Sequence, residues 1–258
     1  MGQMNWVLIR GLSRETRHWA QFPEKLKAHY PNSVIKVLEL PGVGTKYHQK
    51  SETSIEGFAR ALRPDFLKLK EENPGDYGII AVSMGGMIAM NWVDLYPEDF
   101  RAIITVNSSA GNLSGPLERM SPKAIKKILQ LFFRNNLAER EKVILELTTN
   151  MTQITPELVQ KWASFGEQYP LKREVFLKQI YAASKFVVPN EIRIPFLILA
   201  AEQDQLSLPK CSKLLAKHFG LSPVLHPTAG HDLPLDDPEW MAKKIFEWEN
   251  QSSQRSKT

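Results

Sequence analysis

Residues 78–90 read GIIAVSMGGMIAM and form the most informative segment of the chain. The residues up to Val82 are apolar or small without alternation, which is typical of a strand covered on both faces. Ser83 interrupts the run, and the residues from Met84 to Met90 then begin a helix after a glycine pair. The segment therefore predicts a buried strand, a tight turn carrying a serine, and a helix in direct succession.

Apolar runs of similar kind recur along the chain and alternate with longer amphipathic stretches. This alternation indicates a parallel sheet with helical crossovers. Helical spacing of apolar residues predicts one crossover around residues 19–30 and a second over residues 54–69. The predicted strands are Trp6 to Ile9, Val34 to Leu40, Gly78 to Val82, Ala102 to Val106, Phe196 to Ala201, and a short run near Val224.

The pattern changes between residues 112 and 190, where helical stripes follow one another without a convincing strand. We therefore expect residues 1–111 and 191–250 to form an α/β core and residues 112–190 to form a helical cap inserted between two strands. Residues 251–258 are polar and are expected to be a flexible tail. The two clearest stripes are Ile125, Ile128, Leu129, Phe132 and Phe133, and Leu158, Trp162, Phe165 and Tyr169.

Composition limits the classes of partner and location. The net charge is +5, but basic and acidic residues are interspersed, which argues against a nucleic-acid partner. The only cysteine, Cys211, excludes an intramolecular disulfide framework and favours a reducing, cytoplasmic compartment. No metal-binding motif is present, and the longest weakly polar stretch, residues 78–90, is too short to span a bilayer.

The segment around Ser83 resembles the G-x-S-x-G nucleophile elbow of the α/β hydrolases, with Ala81 in place of the first glycine and Gly85 as the second. The alternative is a glycine-rich turn of a nucleotide-binding fold. That alternative calls for GxGxxG or GxxxxGK[ST], and the segment has neither. The resemblance implies that Ser83 is the nucleophile and that the backbone N–H of Met84 is one donor to an oxyanion.

A serine nucleophile needs a base, and the base needs a group that orients it. In α/β hydrolases these residues follow the nucleophile in the order acid, then histidine. Residues 229–239 resemble the family's histidine loop and the start of its final helix, which makes His231 the candidate base. His226 is the rival because it also follows an apolar pair, Val224 and Leu225. We expect His226 to end the short strand near Val224 instead.

The same resemblance places the acid just beyond the strand that precedes the histidine strand. Asp204 occupies that position, and Glu202 is the alternative, although it follows the strand too closely to turn back toward the site. The other location known in the family carries Asn107-Ser108-Ser109 and no carboxylate.

The second oxyanion donor in this family normally comes from a His-Gly loop after an early strand. Here residues 9–12 read Ile-Arg-Gly-Leu, so the backbone N–H of Leu12 is the candidate donor and Gly11 permits the close approach. Arg10 replaces the usual histidine. A structural ion pair is its favoured role, and contact with a polar part of the substrate is the alternative.

The resemblance implies an α/β-hydrolase three-layer sandwich, with a mostly parallel sheet and a helical cap over the site. It further implies a serine hydrolase that needs no cofactor or metal and cleaves small to medium carboxylic esters through an acyl-enzyme. The expected pocket residues are Leu12, Met84, Phe132, Trp162 and Phe165.

The alternative function is that of a thioesterase, lactonase, carbon–carbon hydrolase or lyase that uses the same catalytic residues, Ser83, Asp204 and His231. A third possibility is a binding protein without catalytic activity. Cys211 has no plausible paired base and is not expected to react.

Overall fold

The protein is described by a computed structural model that covers residues 4–131, 134 and 136–255. Its described part holds one six-stranded sheet in which every strand pairs in parallel with its neighbours, in the order β2-β1-β3-β4-β5-β6. This confirms the predicted parallel sheet. The strands are β1 (Asn5–Ile9), β2 (Ile35–Leu38), β3 (Tyr77–Val82), β4 (Ala102–Val106), β5 (Phe196–Ala201) and β6 (Val224–His226).

Helices cover both faces of the sheet. The described helices are α1 (Phe22–His29), α2 (Ile55–Glu72), α3 (Met84–Leu95), α4 (Pro116–Arg119), α5 (Pro122–Leu131), α6 (Leu137–Thr148), α7 (Pro156–Gln168), α8 (Arg173–Lys185), α9 (Pro209–His218), α10 (Leu233–Asp236) and α11 (Pro238–Arg255). Two short 3₁₀ helices cover Thr16–Trp19 and Gly44–Lys46. Helices α4–α8 lie between β4 and β5 in the chain and are called the inserted helices below.

The core has two layers because successive residues of a strand point to opposite faces. Val7 and Ile9 face a cluster with Phe58, Leu62 and Ile88 from α2 and α3. Trp6 and Leu8 face a second cluster, with Phe22 and Leu26 of α1 and Met241 and Ile245 of α11. Burial on both faces explains why these strands read as continuous apolar runs.

One expectation about helices needs correction. The predicted crossover over residues 19–30 is divided, because a 3₁₀ helix ends at Trp19, Ala20 has φ 49°, and α1 begins only at Phe22. Pro23, which has no backbone N–H, is tolerated in α1 because it lies in the first turn. Residues 251–258 were expected to be a flexible tail, and the structure describes α11 as far as Arg255. No helix in the described ranges is both long and apolar enough to cross a membrane.

Candidate active site

Ser83 occupies the turn between β3 and α3 in a strained backbone conformation. Its φ of 57° and ψ of −121° lie where L-residues are rarely found. Two contacts with the neighbouring strand end hold the turn: the Ser83 N–H donates to the carbonyl of Val106 at 2.8 Å, and the Ser83 carbonyl accepts from the Ser108 hydroxyl at 2.9 Å. The surrounding structure therefore fixes a serine that exposes its side chain beyond the sheet.

Close packing around the turn requires the glycine two residues after the serine. A Cβ placed on Gly85 would lie 2.6 Å from the Ile9 carbonyl oxygen and 2.7 Å from that of Arg10. These are backbone atoms, which cannot move aside cheaply. The sequence pattern around Ser83 thus reflects the approach of α3 to the end of β1.

His231 and Asp204 form a buried pair at the same edge of the sheet. His231 Nδ1 lies 2.6 Å from Asp204 Oδ2, and the side chains are 7% and 1% exposed. A carboxylate can only accept, so Nδ1 carries the hydrogen and Nε2 is left as an acceptor. The other oxygen of Asp204 accepts the N–H groups of Leu206 and Ser207 at 2.8 and 3.0 Å. The carboxylate is fixed on both sides, and it orients the imidazole.

The rival residues are engaged elsewhere. His226 Nδ1 accepts the Ala229 N–H at 2.9 Å, and its Nε2 lies 3.3 Å from Asp237. His226 is absent from the residues that line the cavity described below. Glu202 is 43% exposed and lies 3.9 Å from Lys213. The structure brings His231 together with Asp204 and leaves His226 and Glu202 apart from them.

Asn107 is a positioning residue that the sequence did not single out. Its side-chain N–H groups donate to the carbonyl oxygens of His231 at 2.8 Å and Gly230 at 3.3 Å. Its side-chain oxygen accepts the Ala201 N–H at 2.8 Å, at the end of the strand that leads to Asp204. One buried amide therefore ties the histidine loop to the acid strand. Its position at the alternative acid location was the only signal available.

Arg10 and Asp232 form a buried ion pair beside the histidine. The two guanidinium nitrogens donate to the two carboxylate oxygens at 2.9 and 2.7 Å, and the side chains are 5% and 3% exposed. The favoured expectation of a structural ion pair for Arg10 is confirmed. The pair joins the loop after β1 to the residue that follows His231.

The loop after β1 brings Gly11 and Leu12 against the serine. A Cβ on Gly11 would lie 2.9 Å from Ser83 Cβ. The Leu12 N–H has no acceptor among the described residues, and Met84 is the first residue of α3, where an N–H has no intrahelical partner. Ser13, with φ 61°, donates its N–H to the Gln179 side-chain oxygen on α8 at 2.8 Å. Two available N–H donors thus belong to backbone that adjoins Ser83.

A cavity of about 710 Å³ opens over Ser83 and His231. This volume falls in the range of small-molecule sites. Leu12 and Met84 line it from the core, and Trp162 and Phe165 line it from α7; their contact with substrate stays a prediction. The expected contribution of Phe132 lies outside the described residues. Other apolar wall residues from the inserted helices are Ile128, Leu131, Ile144, Leu147, Phe176 and Ile180.

His18 is a cavity residue that the sequence analysis did not single out. Its ring meets Trp162 and Phe165 edge-on, with ring centroids 4.8 and 5.2 Å apart. Burial, together with the nearby guanidinium groups of Arg14 and Arg10, holds the pKa of His18 well below its usual value. His18 is therefore neutral at physiological pH and extends the aromatic wall.

Asp236 connects the inserted helices to the histidine loop. Its carboxylate accepts N–H groups from Gly230 at 2.7 Å, Asn150 at 2.9 Å, Met151 at 3.1 Å and Thr152 at 2.9 Å. The last three residues form the connection between α6 and α7. The loop that carries His231 thus shares one anchor with the middle of the insertion.

Comparison with known proteins gives the family of this chain. Residues 10–238 match the model of a family described as having the alpha/beta hydrolase fold. The match spans most of the chain, and the protein belongs to this family. Its fold and its similarity to esterases and lipases make it a hydrolase.

Curated relatives are distant. A pimeloyl-[acyl-carrier protein] methyl ester esterase of Hamiltonella defensa is 24% identical over 83% of this chain and 80% of its own. The human monoacylglycerol lipase ABHD6 is 22% identical over 94% of this chain and 74% of its own.

Solved structures show the same fold. A putative lipase from Acinetobacter baumannii has a TM-score of 0.76 at 21% identity, covering 98% of this chain and 85% of its own. The 2-hydroxy-6-oxo-6-phenylhexa-2,4-dienoate hydrolase of Rhodococcus also has a TM-score of 0.76, at 18% identity, covering 96% and 91%.

Proposed function

We propose that the protein hydrolyses small to medium carboxylic esters through an acyl-enzyme, with Ser83, His231 and Asp204 as its catalytic residues. The observation that carries the proposal is the buried 2.6 Å contact between His231 and Asp204 at the edge of a cavity that Ser83 also lines. A histidine oriented by a carboxylate, in the same cavity as a strained serine, provides the groups that activate a hydroxyl for acyl transfer.

The reaction follows from the roles of these groups. Ser83 Oγ attacks the ester carbonyl carbon while His231 Nε2 takes the hydroxyl proton, and Asp204 stabilises the imidazolium. The N–H groups of Met84 and Leu12 donate to the carbonyl oxygen as it becomes an oxyanion. The C–O bond to the leaving group breaks as His231 returns the proton to that oxygen, and an alcohol departs. Water, deprotonated by His231, then attacks the acyl-enzyme and releases the acid.

The cavity supports an uncharged hydrocarbon segment in the substrate. Trp162 and Phe165 are buried in its wall, and most of the other side chains contributed by the inserted helices are apolar. Each methylene buried there should add about 0.8 kcal/mol of binding until the space is filled. The names of the two curated relatives, a methyl ester esterase and a monoacylglycerol lipase, support an ester as substrate. A cytoplasmic location is part of the proposal and rests on the single buried cysteine.

The test is kcat/KM across aryl esters of graded chain length, with matched thioesters, lactones and an emulsified triglyceride in the same series. We expect activity to rise with chain length and then fall, with esters ahead of the other substrates. A fluorophosphonate probe should label Ser83, and Ser83→Ala should remove both labelling and turnover. Preference for the emulsion, labelling of a different serine, or carbon–carbon cleavage without ester turnover would contradict the proposal.

A further inference from the structure

Arg119, at the end of α4, is a half-buried cation in the wall of the cavity. Its Nε–H donates to the Ser109 hydroxyl at 3.3 Å, and its two terminal nitrogens donate to the carbonyl oxygens of Ser184 at 3.4 Å and Ala183 at 2.5 Å. Three of its five N–H bonds therefore meet neutral oxygens. Each terminal nitrogen keeps one N–H without an oxygen acceptor among the described residues, and one of these nitrogens lies 3.9 Å from the thioether of Met87, a weak acceptor.

No carboxylate of the described chain compensates this charge. Burial lowers the pKa of Arg119. The thiol of Cys211 lies close enough to influence it, but burial raises the pKa of that thiol, so it stays neutral. The adjacent carboxylate of Glu118 pairs instead with Lys210 at 2.5 Å. A partly buried cation without an anionic partner loses hydration that no opposite charge replaces, unless something else supplies the negative charge.

Two other cavity arginines differ in this respect. Arg10 pairs with Asp232, and Arg14 pairs with Glu141 at 2.7 Å. Arg140 also lines the cavity, but its guanidinium has no described hydrogen bonds that would hold it in one orientation, whereas three hydrogen bonds fix that of Arg119. Arg119 is thus the cavity arginine whose described oxygen partners are all neutral.

We propose that Arg119 binds a carboxylate carried by the acyl chain of the substrate, so that the preferred esters are half-esters of short dicarboxylic acids. The inference rests on the proposed ester hydrolysis and adds the chemical class of the acyl group. Arg119 approaches Met87, which lies one helical turn, about 6 Å of helix axis, beyond Ser83. The length of the spacer between a carboxylate at Arg119 and an acyl carbon at Ser83 is the variable that the experiment scans.

A carboxylate fits this site better than a phosphate. A guanidinium carries one positive charge and presents paired N–H groups that match the two oxygens of a carboxylate. A phosphate monoester brings close to two negative charges and would call for a further cation beside Arg119. The cavity near Arg119 offers hydroxyl and carbonyl groups instead.

A purely structural role for Arg119 is the competing explanation, because Ala183 and Ser184 belong to the last turn of α8 and their carbonyls carry the negative end of the helix dipole. That role would affect stability and all esters alike. The discriminating quantity is therefore a ratio measured within one enzyme, kcat/KM for a half-ester divided by kcat/KM for the neutral ester in which a methyl group replaces the carboxylate.

The experiment compares monoethyl succinate, glutarate and adipate with ethyl butanoate, pentanoate and hexanoate. We expect the wild type to favour at least one half-ester by about tenfold or more over its neutral match, as a charge-assisted pair would give. Arg119→Met should abolish the preference, and Arg119→Lys, which keeps the charge without the planar fork, should retain part of it. Arg101→Met is the matched control, since Arg101 is exposed and pairs with Asp76, and it should keep the wild-type ratio.

Three results would overturn the proposal: a wild type that favours the neutral esters, an unchanged ratio in Arg119→Met, or loss of the preference in Arg140→Met instead.

A binding measurement separates failure of this proposal from failure of the proposed function. Monoethyl glutarate is titrated calorimetrically into Ser83→Ala and into Ser83→Ala with Arg119→Met. Binding that the second change weakens about tenfold supports the anion site even if no ester is turned over, and equal or absent binding in the two proteins refutes it.

Discussion

The guanidinium of Arg10 and the carboxylate of Asp232 meet through two hydrogen bonds although 222 residues separate them in the chain. The pair fixes two loops at once, because Arg10 directly precedes Gly11, which packs on Ser83, and Asp232 directly follows His231. Both ions are almost wholly removed from water, so each depends on the other for compensation.

Removing one member of this pair should destabilise the protein strongly. We expect Asp232→Asn or Arg10→Met to lower the free energy of unfolding by about 3–5 kcal/mol, because a buried charge is left unpaired. Urea denaturation followed by circular dichroism measures this. The exposed Asp76, which pairs with Arg101, provides the control, and Asp76→Asn should change stability very little. Equal effects at the two sites would show that the buried pair does not stabilise the fold.

Substitutions in the acid and base should separate the candidates from their rivals. Asp204→Asn should lower kcat by about 10⁴-fold, because an amide in place of the carboxylate favours the wrong histidine tautomer. Glu202→Gln, a matched change at an exposed carboxylate, should leave kcat near the wild-type value. Steady-state kinetics on an aryl ester provide the comparison.

For the base, His231→Ala should abolish most turnover, whereas His226→Ala should retain most activity in the fraction that folds. Circular dichroism is needed beside the kinetics because His226 is buried and bonded to its own loop. The reverse ranking would transfer the role of base to His226.

Adding a methyl group at the serine turn should be harmful. In Gly85→Ala the new Cβ would overlap the carbonyl oxygens of Ile9 and Arg10, so we expect a stability loss of about 1–3 kcal/mol and a fall in kcat as α3 moves away from the loop after β1. Gly166→Ala is the matched helical control. Its nearest contact would be 3.7 Å, and replacing a glycine in the last turn of α7 should stabilise the protein by up to about 1 kcal/mol. Thermal and urea unfolding measure the stability of both variants, and steady-state kinetics measure their kcat.

Acid should destabilise the protein through His18. The folded protein holds the pKa of His18 well below 6.5, whereas the unfolded chain binds a proton near that pH. The unfolded state therefore binds more protons below pH 6.5. Stability is full above this pH and falls as the pH drops, by up to about 1.4 kcal/mol per pH unit.

The measurement is urea unfolding at pH 7.5 and pH 5.5 for the wild type, His18→Gln and the exposed-histidine control His48→Gln. The loss of stability between the two pH values should shrink in His18→Gln and persist in His48→Gln. An equal loss in all three proteins would exclude His18 as the source.

The sequence predicted the sheet well because its strands are covered on both faces. Ala102–Val106 and Phe196–Ala201 have the predicted bounds, since continuous apolar runs end where the backbone leaves the core. The division of the first crossover at Ala20 was not predicted, because a local left-handed residue leaves no mark on apolar periodicity.

The candidate site was only partly accessible from the sequence. Motif order pointed to Ser83, Asp204 and His231, whose roles stay predictions. The supporting contacts of Asn107 reach residues 94 to 124 positions away, and nothing local in the sequence encodes them. The sequence also contains no indication of a binding role for Arg119. That role depends on the lack of a carboxylate partner among the described residues, which only the folded structure reveals.

Asp236 limits how this chain can be recombined with its relatives. Its carboxylate binds the connection between α6 and α7 and also the N–H of Gly230, so the inserted helices are attached to the core at their middle as well as at their two ends. An exchange of residues 112–190 for the corresponding segment of another family member would remove three of the N–H donors that hold Asp236. A functional chimera would therefore have to take the α6–α7 connection and the residues around Asp236 from the same parent protein, although the two segments are far apart in the chain.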